Sequence, residues 1–159
     1  MLSSLTQNIF MHTYTTSSSM QTKKLGALLA EELCGGEIIC LSGDLGAGKT
    51  TFTQGLLREL KIKGPYTSPT FAIIKNYKSN FKFKISNLKL TDVYHIDAYR
   101  INTSDLAQLG FKDFAGKKNS ITIIEWPENV KKIIPKNALW IHFKWLREKE
   151  RRITLKPQG

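Results

Sequence analysis

The sequence is poor in acidic residues, in cysteine and in long apolar stretches. Only 13 of its 159 residues are Asp or Glu, against 24 Lys and Arg, so the formal net charge is +11. This balance excludes an acidic, disordered protein and favours an anionic partner: a nucleotide, a nucleic acid or an acidic protein surface. No apolar run approaches the roughly 20 residues of a membrane span, so we expect no membrane attachment.

Cysteine is scarce, and its placement gives little chemistry. Cys34 and Cys40 flank the Gly35-Gly36 pair, and with three scattered histidines they do not form a typical metal-binding pattern. No secretory signal is recognisable, and the first 22 residues, although rich in Ser and Thr, lack the arginines of a transit peptide. We therefore expect reduced thiols and a cytoplasmic location.

The positive charge is unevenly distributed. Residues 1–60 carry 4 basic and 5 acidic side chains, residues 61–120 carry 11 and 4, and residues 121–159 carry 9 and 4. Residues 61–91 contain seven lysines and no acid. Such a stretch is either a solvated face or a contact surface, and the composition does not decide between them.

Hydrophobic periodicity predicts one α/β domain over residues 1–159, with residues 1–19 partly flexible. Main helices are predicted over 20–34, with Ser18 or Ser19 as N-cap, and over 49–60. One short helical piece is expected on each side of Gly110. Strands are predicted over 11–15, 37–42, 71–77, 92–96, 121–124, 139–146 and 152–156. Lys78–Lys89 alternates basic and apolar residues, as the exposed edge of a hairpin does.

One motif carries clear chemistry. Gly43–Thr50 (GDLGAGKT) matches G-x-x-x-x-G-K-[ST] without a mismatch, between a predicted strand and a predicted helix. Its glycines let backbone N–H groups converge on phosphate oxygens at a helix N-terminus. Lys49 can bridge the β- and γ-phosphates, and the Thr50 hydroxyl can join the shell of a Mg²⁺ ion. The motif predicts binding of a nucleoside triphosphate.

Hydrolysis also needs a carboxylate at the end of a neighbouring strand. Asp97 follows one predicted strand and Glu125 follows another. Either acid could instead cap a helix. Two acids so placed in a chain with a phosphate loop favour a metal-binding role for at least one of them.

Further motifs surround the phosphate loop in a specific order. Thr22–Gly26 (TKKLG) precedes it; Ser68–Phe71 (SPTF), His95–Arg100 (HIDAYR), Leu109-Gly110 and Glu125–Glu128 (EWPE) follow it. With these motifs the chain resembles the TsaE (YjeE) family from about Thr22 to Leu155. The members of that family are small P-loop ATPases that take part in making threonylcarbamoyladenosine on tRNA.

The resemblance implies a fold and an activity. The expected fold is that of P-loop NTPases, a mainly parallel or mixed sheet flanked by helices, with a C-terminal β-hairpin. The expected activity is Mg²⁺-dependent hydrolysis of ATP, weak alone, that drives the cycle of the TsaD–TsaB complex. In that complex TsaD modifies adenosine 37 of tRNA and TsaB is its scaffold. The protein would meet tRNA indirectly or through its basic surface.

The resemblance also implies the residues of a nucleotide site. Lys49, Asp97 and Glu125 would be catalytic, with Thr50 and Glu125 as Mg²⁺ ligands and Asp97 near the γ-phosphate or in the metal's outer shell. The nucleotide would be bound by Ser19, Thr22, Asp44, Leu45, Gly46, Ala47, Gly48, Lys49, Thr50, Thr51, Arg151 and Arg152. The Lys-rich segment over 78–89 is longer and more basic than in the family, so no role transfers to it.

Several other residues have more than one interpretation. Trp126 would pack in the core or contact the nucleotide region or a partner. His95 is favoured as a structural histidine over a base. Arg100 would pair with a site carboxylate or act as an arginine finger in cis. Ser68 and Thr70 lie in a loop that could sense the γ-phosphate.

Two rival functions remain open on the sequence. A small P-loop kinase would use the charged segment Arg147–Arg152 to clamp phosphates, and its turnover would need a phosphate acceptor. A non-enzymatic RNA-binding protein would lose affinity steeply with salt and would tolerate loss of Lys49.

Overall fold

The computed structural model describes residues 11–157. The strands are β1 (His12–Thr16), β2 (Ile38–Gly43), β3 (Ile74–Lys78), β4 (Asp92–Asp97), β5 (Ser120–Glu125), β6 (Leu139–Trp145) and β7 (Arg151–Pro157). The helices are α1 (Ser19–Glu32), α2 (Lys49–Glu59), α3 (Thr103–Gln108) and α4 (Phe111–Phe114), and a 3₁₀ helix spans Pro127–Ile133. None of the helices in this part of the chain has the length and apolar character needed to cross a membrane.

Within the described residues, seven strands form one mixed sheet in the order β1-β7-β6-β2-β5-β4-β3. Strands β6, β2, β5 and β4 run parallel, whereas β3, β7 and β1 are antiparallel to their neighbours. The register places Asp97 beside Glu125, and Glu125 beside Leu41. Because parallel strands end at the same edge of a sheet, the acids that end β4 and β5 lie next to the loop that follows β2.

The centre of the sheet is buried on both faces, which explains the apolar strands β2 and β5. Alternation along β2 points Ile39 and Leu41 into a core under α1 and α2, and Ile38 and Cys40 into a second core under the shorter helices. Cys34 and Cys40 are free and buried. Burial raises the pKa of the Cys40 thiol.

Helices α1 and α2 pack through their backbones. A Cβ atom at Gly55 would lie 1.9 Å from the Lys23 carbonyl oxygen, and one at Gly26 would lie 2.2 Å from the Phe52 carbonyl oxygen. Glycine is therefore required at both positions. Of the two candidate caps for α1, the Ser18 side chain is the one that accepts, from Gln21 N at 3.1 Å.

One strand boundary was predicted wrongly, one predicted hairpin is more buried than expected, and one prediction extends beyond the described residues. The strand predicted from Phe71 begins at Ile74, because Ile73 N donates to the Pro69 carbonyl oxygen at 2.8 Å and closes a turn first. The segment over 78–89 forms a short hairpin with exposed lysines, as expected, but its apolar residues Phe81 and Phe83 are buried in the core beneath α1 and α2. Of the flexible segment expected over 1–19, His12–Thr16 pairs with β7, and residues 1–10 lie outside the described residues.

Candidate functional site

A cleft of about 850 Å³ opens at the carboxyl edge of the parallel strands. The loop Gly43–Thr50 connects β2 to α2 beneath it. The residues expected to bind nucleotide or metal that line this cleft are Ser19, Thr22, Leu45, Gly46, Gly48, Lys49, Thr50, Thr51, Asp97, Glu125 and Arg151. Most of the predicted site is thus brought together in one cavity.

Three expected nucleotide-binding residues do not line the cleft. Ala47 is fully buried beneath the loop, and the Asp44 side chain is exposed outside the cleft. Arg152 is exposed and follows Arg151 directly on β7. Since successive residues of a strand point to opposite faces, the Arg152 side chain is directed away from the cleft that Arg151 lines.

Two of the cleft-lining residues are already engaged within the protein. The Thr22 hydroxyl lies 2.7 Å from the Thr16 hydroxyl and donates to the Ser18 carbonyl oxygen at 3.2 Å. The Arg151 guanidinium donates to the Arg147 carbonyl oxygen at 2.8 Å and so holds the turn between β6 and β7. Both side chains therefore shape the wall of the cleft as well as line it.

The phosphate loop depends on glycine at its first position. Gly43 has φ of 137°, and a Cβ atom there would lie 2.4 Å from the Phe143 carbonyl oxygen on β6. Gly48 adopts the left-handed conformation and begins α2, whose first turn faces the cleft. A helix N-terminus in this position offers free backbone N–H groups to an anion.

The Lys49 side chain is buried, with 7% of its surface exposed. Its ammonium group donates to the Gly43 carbonyl oxygen and lies 3.8 Å from the centre of the Trp126 ring. Burial lowers the pKa of Lys49, although the nearby carboxylates, first that of Glu125, act in the opposite direction. The cation is held inside the cleft, next to the loop that would receive phosphates.

Asp97 and Glu125 form a pair of buried carboxylates joined by one hydroxyl. The Ser68 hydroxyl lies 2.5 Å from Glu125 Oε2 and 3.4 Å from Asp97 Oδ2. Asp97 Oδ1 also accepts from Tyr99 N at 3.0 Å. Since one hydroxyl proton serves two acceptors, the pair retains oxygen lone pairs directed into the cleft.

The surroundings of Glu125 favour its charged form despite its burial. Burial by itself raises the pKa of this carboxyl group. The adjacent His95 ring, the Ser68 hydroxyl and Lys49 lower the pKa by more than burial raises it, so the net pKa lies below the ordinary value. His95 Nε2 lies 3.7 Å from Glu125 Oε2. Neither His95 ring nitrogen has a hydrogen-bond partner among the described residues.

The EWPE segment contributes more than its first residue. Trp126 adopts a left-handed conformation with φ of 57°. Its ring contacts the Lys49 ammonium, and its centroid lies 5.0 Å from that of the Tyr99 ring. The Glu128 carboxylate hydrogen-bonds the Ser42 hydroxyl at the end of β2. Glu128 was not singled out from the sequence, where only its place in the motif could have indicated a role.

The predicted pairing of Arg100 with a site carboxylate was wrong. Its guanidinium carbon lies 5.6 Å from the centre of the exposed Phe71 ring, and within residues 11–157 it forms no ion pair with Asp97 or Glu125. Arg100 nevertheless lines the cleft, as do Ser68, Thr70 and Trp126.

The oxygen donors of the cleft fit a magnesium ion shared with a nucleotide. Across the described residues, no group of three or more His, Cys, Asp or Glu side chains could hold a metal by itself. Mg²⁺ is usually bound by one or two carboxylates together with substrate phosphates. Glu125 and the Thr50 hydroxyl are hard donors that line one cavity with the phosphate loop.

Taken together, the sheet order, the loop between β2 and α2 and the acids that end β4 and β5 define an α/β protein with the P-loop NTPase fold. Residues 16–153 match the family described as threonylcarbamoyl adenosine biosynthesis protein TsaE. The chain belongs to the TsaE family.

Individual relatives agree with this assignment. The tRNA threonylcarbamoyladenosine biosynthesis protein TsaE of Bacillus subtilis is 33% identical over 144 residues, covering 91% of this chain and 84% of that protein. The TsaE protein of Rickettsia typhi is 30% identical over 149 residues, covering 92% and 95%. That of Synechocystis is 39% identical over 112 residues, which are 69% of this chain and 66% of that protein.

The fold is also that of a solved structure. The crystal structure of Bacillus subtilis YdiB matches this chain with a TM-score of 0.72 at 30% sequence identity. The match covers 95% of this chain and 88% of that one.

Proposed function

We propose that this protein is a Mg²⁺-dependent ATPase that acts with the TsaD–TsaB complex in the formation of threonylcarbamoyladenosine on tRNA. Membership of the TsaE family supports the pathway. The observation that carries the ATPase proposal is the meeting of Asp97, Glu125 and Ser68 in the cleft that the phosphate loop and Lys49 line.

The chain's own residues would bind the phosphates first. The N–H groups of the loop and of the first turn of α2 converge on the cleft and would bind the phosphate oxygens. Lys49 would exchange its contacts with Gly43 and Trp126 for the β- and γ-phosphates. Burial of Lys49 favours this exchange, because a desolvated cation gains more from an anionic partner than an exposed one.

Thr50 and Glu125 would hold the magnesium ion, and Asp97 would lie in its outer shell or near the γ-phosphate. When bound, the ion would supply positive charge that neutralises the transferring phosphoryl group. The low pKa of Glu125 keeps this ligand ionised at neutral pH. Asp97, anchored by the Tyr99 backbone N–H, would orient the attacking water.

The Ser68 contact would couple the SPTF loop to the state of the cleft. Its hydroxyl bonds the carboxylate oxygens that would bind the metal, so loading of the site would displace it. Phe71, in the same loop, is 91% exposed, as is Leu45 in the phosphate loop. Movement of this apolar rim would transmit the nucleotide state to a protein partner.

The test measures ATP hydrolysis by the purified protein, alone and with TsaD–TsaB, in Mg²⁺ and in a chelator. We expect weak turnover alone, stimulation by the complex and loss of turnover without Mg²⁺. Glu125→Gln and Lys49→Ala should each lower turnover by about 100-fold or more, while Arg152→Gln should leave it within about twofold. The same proteins are then assayed for threonylcarbamoyladenosine formation on tRNA.

Two outcomes would contradict the proposal. Normal hydrolysis by Glu125→Gln would remove this acid from the metal site. Transfer of the γ-phosphate to an added small molecule or nucleotide, with little release to water, would assign the protein to the kinases instead.

A further inference from the structure

A short hairpin over Phe81–Leu90 lies far from the phosphate loop. Leu90 N donates to the Phe81 carbonyl oxygen at 2.8 Å, and Phe83 N donates to the Leu88 carbonyl oxygen at 2.9 Å. The side chains of Phe81, Phe83 and Leu90 are buried in the core. The lysines between them are consequently turned outward.

The hairpin leads into the amino-terminal edge of the sheet. Thr91 N donates to the Asn119 carbonyl oxygen at 2.8 Å, directly before β4 and β5 begin. Two further exposed lysines immediately precede Asn119. We call the exposed lysines gathered at this edge the basic edge: Lys82, Lys84, Lys89, Lys117 and Lys118.

Two of these lysines face each other directly. Lys82 and Lys89 are partners in an isolated antiparallel bridge. The two hydrogen bonds of the hairpin flank this pair, so it is a non-hydrogen-bonded pair, the arrangement in which cross-strand side chains lie closest, with Cα atoms about 4.5 Å apart. Like charges placed directly opposite destabilise a strand pair.

Neighbouring acids do not relieve this repulsion. Glu31 forms an ion pair with Lys84 at 3.1 Å, and Asp92 forms one with Lys78. Among the described residues, no carboxylate lies within ion-pair distance of Lys82 or Lys89. A local arrangement that opposes stability without compensation is typical of a functional site.

We propose that the basic edge binds the phosphate backbone of a folded RNA. Lysine is depleted in protein–protein interfaces and is a common phosphate-binding residue. The two aromatic rings of the hairpin, Phe81 and Phe83, are buried against each other with centroids 5.8 Å apart. They cannot serve as stacking platforms for unpaired bases, so the contact is with backbone phosphates.

RNA and nucleotide would bind at opposite edges of the sheet. The basic edge precedes β4 and β5, whereas the cleft follows them, and each strand is 6 residues long. At about 3.3 Å per residue, the strands separate the two sites by roughly 20 Å. Occupation of one site therefore leaves the other accessible, and RNA binding does not depend on ATP hydrolysis.

The test measures the affinity of the full-length protein for an unmodified tRNA transcript at several salt concentrations. Lys82→Gln/Lys89→Gln should weaken binding about tenfold or more at 0.1 M salt and reduce the slope of log K against log[salt] by nearly two. The matched control Lys132→Gln/Lys144→Gln removes the same charge from exposed positions elsewhere and should change affinity less than twofold. Thermal unfolding confirms that both variants fold.

Other outcomes would overturn the inference. Equal losses in the two double variants would show attraction by net charge alone, and no measurable binding by the parent protein would remove the site. Unchanged tRNA affinity with loss of binding to TsaD–TsaB would assign the basic edge to an acidic protein surface. Lys49→Ala should keep full tRNA affinity, so failure of the ATPase proposal and failure of this one are distinguishable.

Discussion

The Ser68 hydroxyl donates to Glu125 Oε2 across 2.5 Å, joining residues 57 positions apart in the chain. The contact connects the loop before β3 to the acid that ends β5. It lies in the cleft with the phosphate loop, and it helps to hold the pKa of Glu125 below its ordinary value. The charge of a proposed metal ligand is thereby linked to the position of a loop.

Ser68→Ala should shift the pH dependence of ATP hydrolysis. Without the donated hydrogen bond the pKa of Glu125 rises, because the ionised form loses a partner. Because the contact exists before the site is loaded, the acidic limb of the pH profile measured at limiting ATP (kcat/KM) should move to higher pH, with little change at neutral pH. Thr70→Ala, in the same loop and also lining the cleft, is the control. An unshifted acidic limb in Ser68→Ala would show that the contact does not tune Glu125.

Glu125→Gln should weaken the acid sensitivity of the fold. The folded-state pKa of Glu125 is below the ordinary value of 4.5, so its charged form contributes stability above that pH. That contribution is lost as the pH falls through the folded-state pKa. Urea unfolding between pH 6 and pH 3 should show a smaller loss of free energy of unfolding in Glu125→Gln. Glu148→Gln, at the exposed rim of the same cleft, controls for removal of a carboxylate; parallel curves for parent and Glu125→Gln would contradict the prediction.

Gly55→Ala should destabilise the protein although alanine favours helices. The propensity gain is about 1 kcal/mol, but the added methyl group would lie 1.9 Å from the Lys23 carbonyl oxygen and force α1 and α2 apart. We expect a net loss of about 1–3 kcal/mol. Gln54→Ala, one residue earlier, should stay within about 0.5 kcal/mol. Denaturant midpoints measure the stability of both variants. A higher stability of Gly55→Ala would show that α1 and α2 can move apart without a loss of packing energy.

Lys89→Glu should stabilise the fold while weakening tRNA binding. It converts the like-charge pair with Lys82 into a cross-strand ion pair, which favours the hairpin. We expect the thermal midpoint to rise by about 1–3 °C. Calorimetry and tRNA titration of the same preparation measure the two effects. A lower thermal midpoint would show that the Lys82–Lys89 pair does not destabilise the hairpin. Unchanged tRNA affinity would show that Lys89 does not contribute to RNA binding.

Features encoded by neighbouring residues were predictable. The phosphate loop, both main helices, β2, β4 and β5 follow from short patterns, and the structure places them within one or two residues of the expected bounds. The boundary of β3 was wrong because a turn after Pro69 competes with strand propensity. The alternation over 78–89 belongs to a hairpin, as predicted, but no local pattern showed that its apolar residues enter the core.

The candidate site also has features that were predictable from local sequence and features that were not. Asp97 and Glu125 could be proposed because each ends an apolar strand. Their convergence on Ser68 and the place of Trp126 over Lys49 depend on strand register and on a left-handed backbone at Trp126. The carboxylate pairing predicted for Arg100 was wrong for the same reason, since no local pattern shows that its guanidinium lies near the Phe71 ring.

The glycine-rich loop over 43–50, the two strand-end acids, the family and the excess of lysine in residues 61–91 could all be recognised in the sequence. Each of these features depends on residue types and on their spacing along the chain, so it is visible without knowing which distant residues meet. Which side chains meet depends on the folded chain: Ser68 contacts Glu125, Lys49 contacts Trp126, and Lys82 lies opposite Lys89. These contacts join distant parts of the chain, and they arise because burial of both sheet faces selects one strand order and one register.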